Sequence, residues 1–114
     1  DVRACAVFAL SQLKPQEAIV PLITRLSDPS AYVGRLTADA VSQFGHAAVE
    51  PLVDVLKTGN TAGRAGAARA LCAIQPEEAI PALYRALDDG SAIVSYYAEE
   101  ALEKMGVGMF LFRP

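Results

Sequence analysis

Apolar residues recur along this chain in two alternating helical patterns, and the pair is written almost four times. In the first pattern Val2, Ala6, Ala9, Leu10 and Leu13 fall on one stripe at helical spacing. Their counterparts are Val33, Thr37, Ala40, Val41 and Phe44; then Gly63, Ala67, Ala70, Leu71 and Ile74; then Val94, Ala98, Ala101, Leu102 and Met105. The second pattern sets Ile19, Leu22, Ile23 and Leu26 on a stripe within 18–26, matched by 48–56 and 79–87. The column Val2, Val33, Gly63, Val94 advances by 31, 30 and 31 residues, and the column Ala9, Ala40, Ala70, Ala101 by the same steps. Leu26, Leu56 and Leu87 keep that beat. A fixed period of about 20 to 50 residues marks a stacked-repeat protein.

The punctuation agrees with two helices per unit. Ser30 and Ser91, with Asn60 or Thr61, stand where N-caps of first-type helices belong. Gly45 and Gly106 stand where a left-handed residue ends a helix. Pro21, Pro51 and Pro81 recur at one place because a second-type helix starts about a turn earlier, near 17, 47 and 78, where a missing N–H costs little. The pattern predicts helices over 2–13, 17–27, 31–44, 47–57, 62–74, 77–88 and 92–105. The expected fold is all-α: antiparallel pairs stacked into a right-handed superhelix of about three and a half units, near 1–30, 31–60, 61–91 and 92–114. Alanine at two positions of the first-type stripes, replaced once by Thr37, lets helix axes approach closely. One pair cannot bury its stripe alone, so stability is shared between neighbours.

With these columns assigned, the chain resembles the HEAT-repeat family, in its short bacterial form known as phycobilisome-lyase HEAT-like repeats. The residues that carry the resemblance are Val2-Arg3, Ala6 and Ala9-Leu10, then Ala79-Ile80-Pro81, Leu83 and the closing Leu87. The tetratricopeptide repeat, with about 34 residues per unit, fits this period less well. The resemblance implies a ladder of Asp and Arg side chains along the stack. Pairing each Asp with the Arg column six residues on gives Asp28 with Gly34, Thr58 with Arg64 and Asp89 with Ser95, never both partners together. Arg35 stands beside Gly34 as a substitute. This reading leaves hydrophobic packing to hold the repeats.

Composition narrows the function. The hydrophobic content of 53% means that almost every structured segment buries a face, yet no apolar run approaches the roughly 18 residues of a membrane span. Nor does a basic-then-apolar leader open the chain. A sequence that begins at Asp1, inside a repeat, reads as a trimmed or processed product or as part of a longer solenoid. Acidic residues outnumber basic ones 13 to 10, which argues against a nucleic-acid partner. Cys5 and Cys72 lie two units apart, about 20 Å at about 10 Å per stacked pair, too far for a bridge. They read as buried free thiols in a reducing, cytoplasmic compartment.

Candidate chemistry is sparse. His46 is the one histidine and sits in a turn; no Cys, His, Asp or Glu cluster has metal-ligand spacing, and no cofactor is implied. Gly59, Gly63 and Gly66 follow no strand and precede no Gly-Lys-Ser/Thr, so they read as a repeat turn running into a helix. Adjacent acids such as Glu77-Glu78, Asp88-Asp89 and Glu99-Glu100 diverge on a helix and form no catalytic dyad. On these grounds the chain is expected to be a non-enzyme: a scaffold that holds another protein or peptide. The resemblance implies that second-type helices line the concave face, which nominates Thr24, Arg25, Asp54, Lys57 and Arg85, with Thr24, Asp54 and Arg85 in one row. After Gly106 the run Met109, Phe110, Leu111, Phe112 is unusually apolar and is a candidate for capping the last helix or for self-association. The alternative function, resting on the resemblance alone, is a bilin lyase or lyase-like chaperone subunit acting on a phycobiliprotein. A DNA glycosylase of HEAT-like fold is disfavoured by the acidic balance and the absence of Trp.

Overall fold

The computed structural model describes residues 2–12 and 15–107. Expectations placed on Leu13 and on Met109, Phe110, Leu111 and Phe112 lie outside the described residues. Seven α-helices follow one another: α1 (Val2–Ser11), α2 (Pro15–Arg25), α3 (Ala31–Ser42), α4 (Val49–Thr58), α5 (Thr61–Ile74), α6 (Ile80–Ala86) and α7 (Ala92–Lys104). Among the described residues there is no strand. The first-type helices α1, α3, α5 and α7 form one layer, each packed chiefly against the next, and α2, α4 and α6 form the other. The body is elongated, 48 × 25 × 19 Å, more than twice the length of its longest helix, which has 14 residues and so spans about 21 Å.

Local chemistry sets the helix ends. Ser30 Oγ accepts from the Val33 N–H (3.3 Å) and Asn60 Oδ1 from the Gly63 N–H (2.7 Å), so Asn60 rather than Thr61 caps α5. Ser91 makes no such side-chain bond; instead its N–H donates to Asp89 Oδ1, and Ser30 N–H donates likewise to Asp28. Gly45 (φ 62°) and Gly106 (φ 83°) take the left-handed conformation expected of them. The end of α5 carries no glycine, and Gln75 adopts φ 58° there, directly before Pro76.

Two second-type helices begin later than the sequence suggested. Single 3₁₀ turns, Gly45–Ala48 and Glu77–Ala79, occupy the expected first turns of α4 and α6. Pro51 and Pro81 therefore fall within the opening turn of their helices, where no N–H is required. The first unit differs. Here α2 starts at Pro15, whose fixed φ suits a first position, and this leaves Pro21 inside the helix.

The core runs unbroken between the layers. Leu22, Leu26, Leu52, Leu71, Leu83 and Leu102 are fully buried, as are Val33, Val41 and Val94. Thr37 is the buried polar residue of this core, and its hydroxyl donates to the Val33 carbonyl (2.7 Å). The first-type stripe is buried as expected in α3, α5 and α7, but in α1 Val2 is 85% exposed and Ala9 is exposed too. The reason is visible at the matching position, Gly63, which is closed over by Val55 of the preceding α4 and by Ser27. No described second-type helix precedes α1. Cys72 is buried as expected, whereas Cys5 is exposed, being on α1 in the column occupied later by Leu36, Gly66 and Tyr97; both are free thiols.

The charge ladder corrects the pairing taken from sequence. Arg3 Nη1 binds Asp28 (3.0 Å), and Arg64 binds both carboxylate oxygens of Asp89 through Nε (2.8 Å) and Nη2 (3.1 Å). Each Arg therefore reaches the Asp 25 residues ahead, in the turn that leads to the next first-type helix, and not the Asp six residues behind. Units one and three carry both partners. Unit two carries neither, having Gly34 and Thr58 in the two columns, and Arg64 Nη1 donates also to the Gly59 carbonyl (2.9 Å). Arg35 does not stand in for Gly34. The hydrogen bond from Arg64 lowers the Asp89 pKa, assisted by the Ser91 N–H and opposed by partial burial.

Replacing Leu52 by Ala removes a fully buried side chain at the centre of the second layer and should destabilise the fold by about 3 kcal/mol, read as a lower urea midpoint. Because Asp89 has a depressed folded pKa, its stabilising effect is complete above the unfolded aspartate value and is lost as pH falls through the folded one. Unfolding of wild type and Asp89→Asn should accordingly differ most near neutral pH, with the difference shrinking in acid.

Candidate functional site

A groove of about 440 Å³ runs across α3, α5 and α7. Its origin lies in side-chain size. At three successive surface columns α3 presents Tyr32, Arg35 and Leu36, and α7 presents Ile93, Tyr96 and Tyr97. The helix between them presents Ala62, Ala65 and Gly66. The small face of α5 is the trough, with Arg35 on one wall and Ile93 and Tyr97 on the other, and Leu26 beneath. A Cβ at Gly66 would come within 2.8 Å of Leu26 Cδ2, so glycine permits this depth. Glycines that resemble a phosphate cradle in sequence thus serve close helix packing: Gly63 lies against Ser27 Oγ and Gly66 against Leu26.

Arg69 ties the groove together at one end. From α5 it donates to Asp39 of α3 (Nε, 3.2 Å) and to the Tyr97 hydroxyl of α7 (Nη1, 3.0 Å), spanning three helices. These bonds raise its pKa, with Asp39 the larger cause. Tyr97 in turn packs edge-on to Tyr96, their ring centroids 5.4 Å apart. Asp28 also lines the groove, but its carboxylate is engaged by Arg3 and by the Ser30 N–H and is only 5% exposed. Arg35 is exposed on the wall and carries no ion-pair or hydrogen-bond partner among the described residues.

The residues nominated from sequence fall elsewhere. Thr24 is exposed on α2 and spends its hydroxyl on the Val20 carbonyl (3.1 Å). Arg25 ends α2, half-buried, and Asp54 is exposed on α4. Lys57 and Arg85 do come together, lining a second depression of about 540 Å³ between α4 and α6 with Arg64 and Asp89 on its floor. The two layers differ in spacing: first-type helices pack along one another, whereas α2, α4 and α6 touch at few points. The row Thr24, Asp54, Arg85 runs along the second-type layer, one residue from each of α2, α4 and α6. His46 and Glu78 form an exposed pair between the two 3₁₀ turns (3.1 Å). Among the described residues no helix is long and apolar enough to cross a membrane.

A repeat profile described as HEAT repeats matches residues 49–107, more than half of the chain. The chain belongs to the HEAT-repeat family. It is also 33% identical over 102 residues to the bilin biosynthesis protein CpeZ of Synechococcus sp. (strain WH8020), an alignment covering 82% of this chain and 55% of that protein. The chain thus spans about half the length of the curated relative it matches, and the repeat type is that of the phycobilisome-lyase HEAT-like proteins. This similarity overturns the expectation of a non-enzyme, which rested on the lack of a reactive cluster. Holding reactants in register accelerates a reaction without a nucleophile or metal of the protein's own, so such a cluster is a poor criterion for this architecture.

Replacing Tyr97 by Phe removes the acceptor for Arg69 while keeping the ring. The expected cost is about 1 kcal/mol in urea unfolding.

Proposed function

We propose that this chain is a HEAT-repeat module of a bilin lyase or lyase-like chaperone, which holds a phycobiliprotein subunit while a bilin is joined to it. The observation that carries this reading is the 33% identity to a protein named for bilin biosynthesis, extending over 82% of the chain and so over most of its repeats. The architecture is of the right kind. An array of stacked helix pairs offers an extended, preformed surface for a protein partner, and its stability does not depend on that partner.

The contribution to chemistry is positional. Joining a bilin to a protein requires that a side chain of the acceptor meet one carbon of a flexible tetrapyrrole, and fixing that encounter supplies much of the barrier reduction. The first-type layer presents the groove beside an exposed aromatic and apolar surface that includes Tyr32, Ile93 and Tyr96. Such residues anchor protein interfaces more often than the mixed charges of the second-type layer.

The test is co-expression with a phycobiliprotein subunit in bacteria that make a bilin. The acceptor should carry more covalently bound chromophore with this chain than without it, measured as visible absorbance retained in acid urea, and the acceptor should co-purify with the chain. Equal chromophore yield and no co-purification would remove the proposal.

A further inference from the structure

Linear tetrapyrroles are long, flat and mostly apolar, and carry propionate carboxylates. We infer that the groove across α3, α5 and α7 is a binding site for such a molecule itself, with Arg35 receiving a propionate; this rests on the bilin-related reading above and gives it a location. The argument begins with charge. Of the charged side chains lining the groove, Asp28 is neutralised by Arg3 and Arg69 is held by Asp39 and Tyr97. Arg35 remains as the uncompensated one, a cation on a chain of net charge −3. A guanidinium in that position pairs with a carboxylate through two parallel N–H donors.

Shape and chemistry of the walls point the same way. The trough of Ala62, Ala65 and Gly66 is flat because it lacks large side chains, and Ile93 stands over it 58% exposed, with the ring of Tyr97 beside it. A volume of about 440 Å³ lies within the range of small-molecule sites, roughly 300 to 1,000 Å³, and a mostly apolar lining with a few polar groups is their usual composition. Ser30, Thr61 and Ser91 at the rim supply hydroxyls for the polar edge of a pyrrole chain. The second depression, by contrast, is lined by the bidentate Arg64–Asp89 ion pair with Lys57 and Arg85, and by no aromatic ring.

The probe is biliverdin, titrated into the purified chain. Because the chain has no Trp, binding is read from the visible band and induced circular dichroism of the pigment. Wild type should bind saturably at one site. Arg35→Gln, which alters an exposed side chain, should keep the far-ultraviolet spectrum and the urea midpoint and weaken binding about tenfold, the loss of one charge-assisted contact. Biliverdin dimethyl ester should bind wild type more weakly by a similar factor and be indifferent to Arg35→Gln. Ala65→Phe, which fills the trough, should abolish binding. Failure of wild type to bind saturably, or equal affinity in wild type and Arg35→Gln, overturns the inference. If wild type then still raises the chromophore yield on the co-expressed acceptor, the lyase reading stands and the groove is left to the acceptor protein. If biliverdin binds as described but the yield is unchanged, the groove assignment stands and the lyase reading falls.

Discussion

Everything in this molecule depends on how closely the first-type helices approach one another. Small residues at two positions of every stripe, alanine except for Thr37 in α3 and helped by Gly63 and Gly66 in α5, bring α3, α5 and α7 into contact along their lengths. The large residues Leu22, Leu52, Leu71, Leu83 and Leu102 then fill the space between the layers completely. A helix pair here has no private core. Its stripe is covered by the pairs on either side, and where the described chain offers no earlier second-type helix, Val2 is left in solvent.

That interaction was legible in the sequence because it is periodic. Three columns keeping a step of 30 or 31 residues were enough to assign the class of fold, the helix order and most of the buried stripe. Features that occur once were harder to read. The left-handed Gln75 has no glycine to announce it, and the 3₁₀ turns ahead of α4 and α6 stand in the columns that are helical at the start of α2. The ladder was misread for a geometric reason: neighbours in sequence were paired, six residues apart, when the stack brings together residues 25 apart.

The groove illustrates a third kind of legibility. Its signal was present, as Ala62, Ala65 and Gly66 in columns that hold Tyr, Arg, Leu or Ile in the adjoining units, but the comparison has to be made between units and across a face. A search for reactive residues passes over it, since a trough is defined by what side chains lack. The charges on the second-type helices are the more conspicuous in sequence, and of these Lys57 and Arg85 line one depression.

Arg64 joins the two turns on either side of it. One guanidinium grips the Gly59 carbonyl behind and the Asp89 carboxylate ahead, while unit two, lacking both ladder residues, adds no tie of this kind. The turn before α5 and the turn before α7 are thereby held to a single guanidinium on α5. The trough crosses the helix that carries this double tie, so its α5 base and its α7 wall share one anchor.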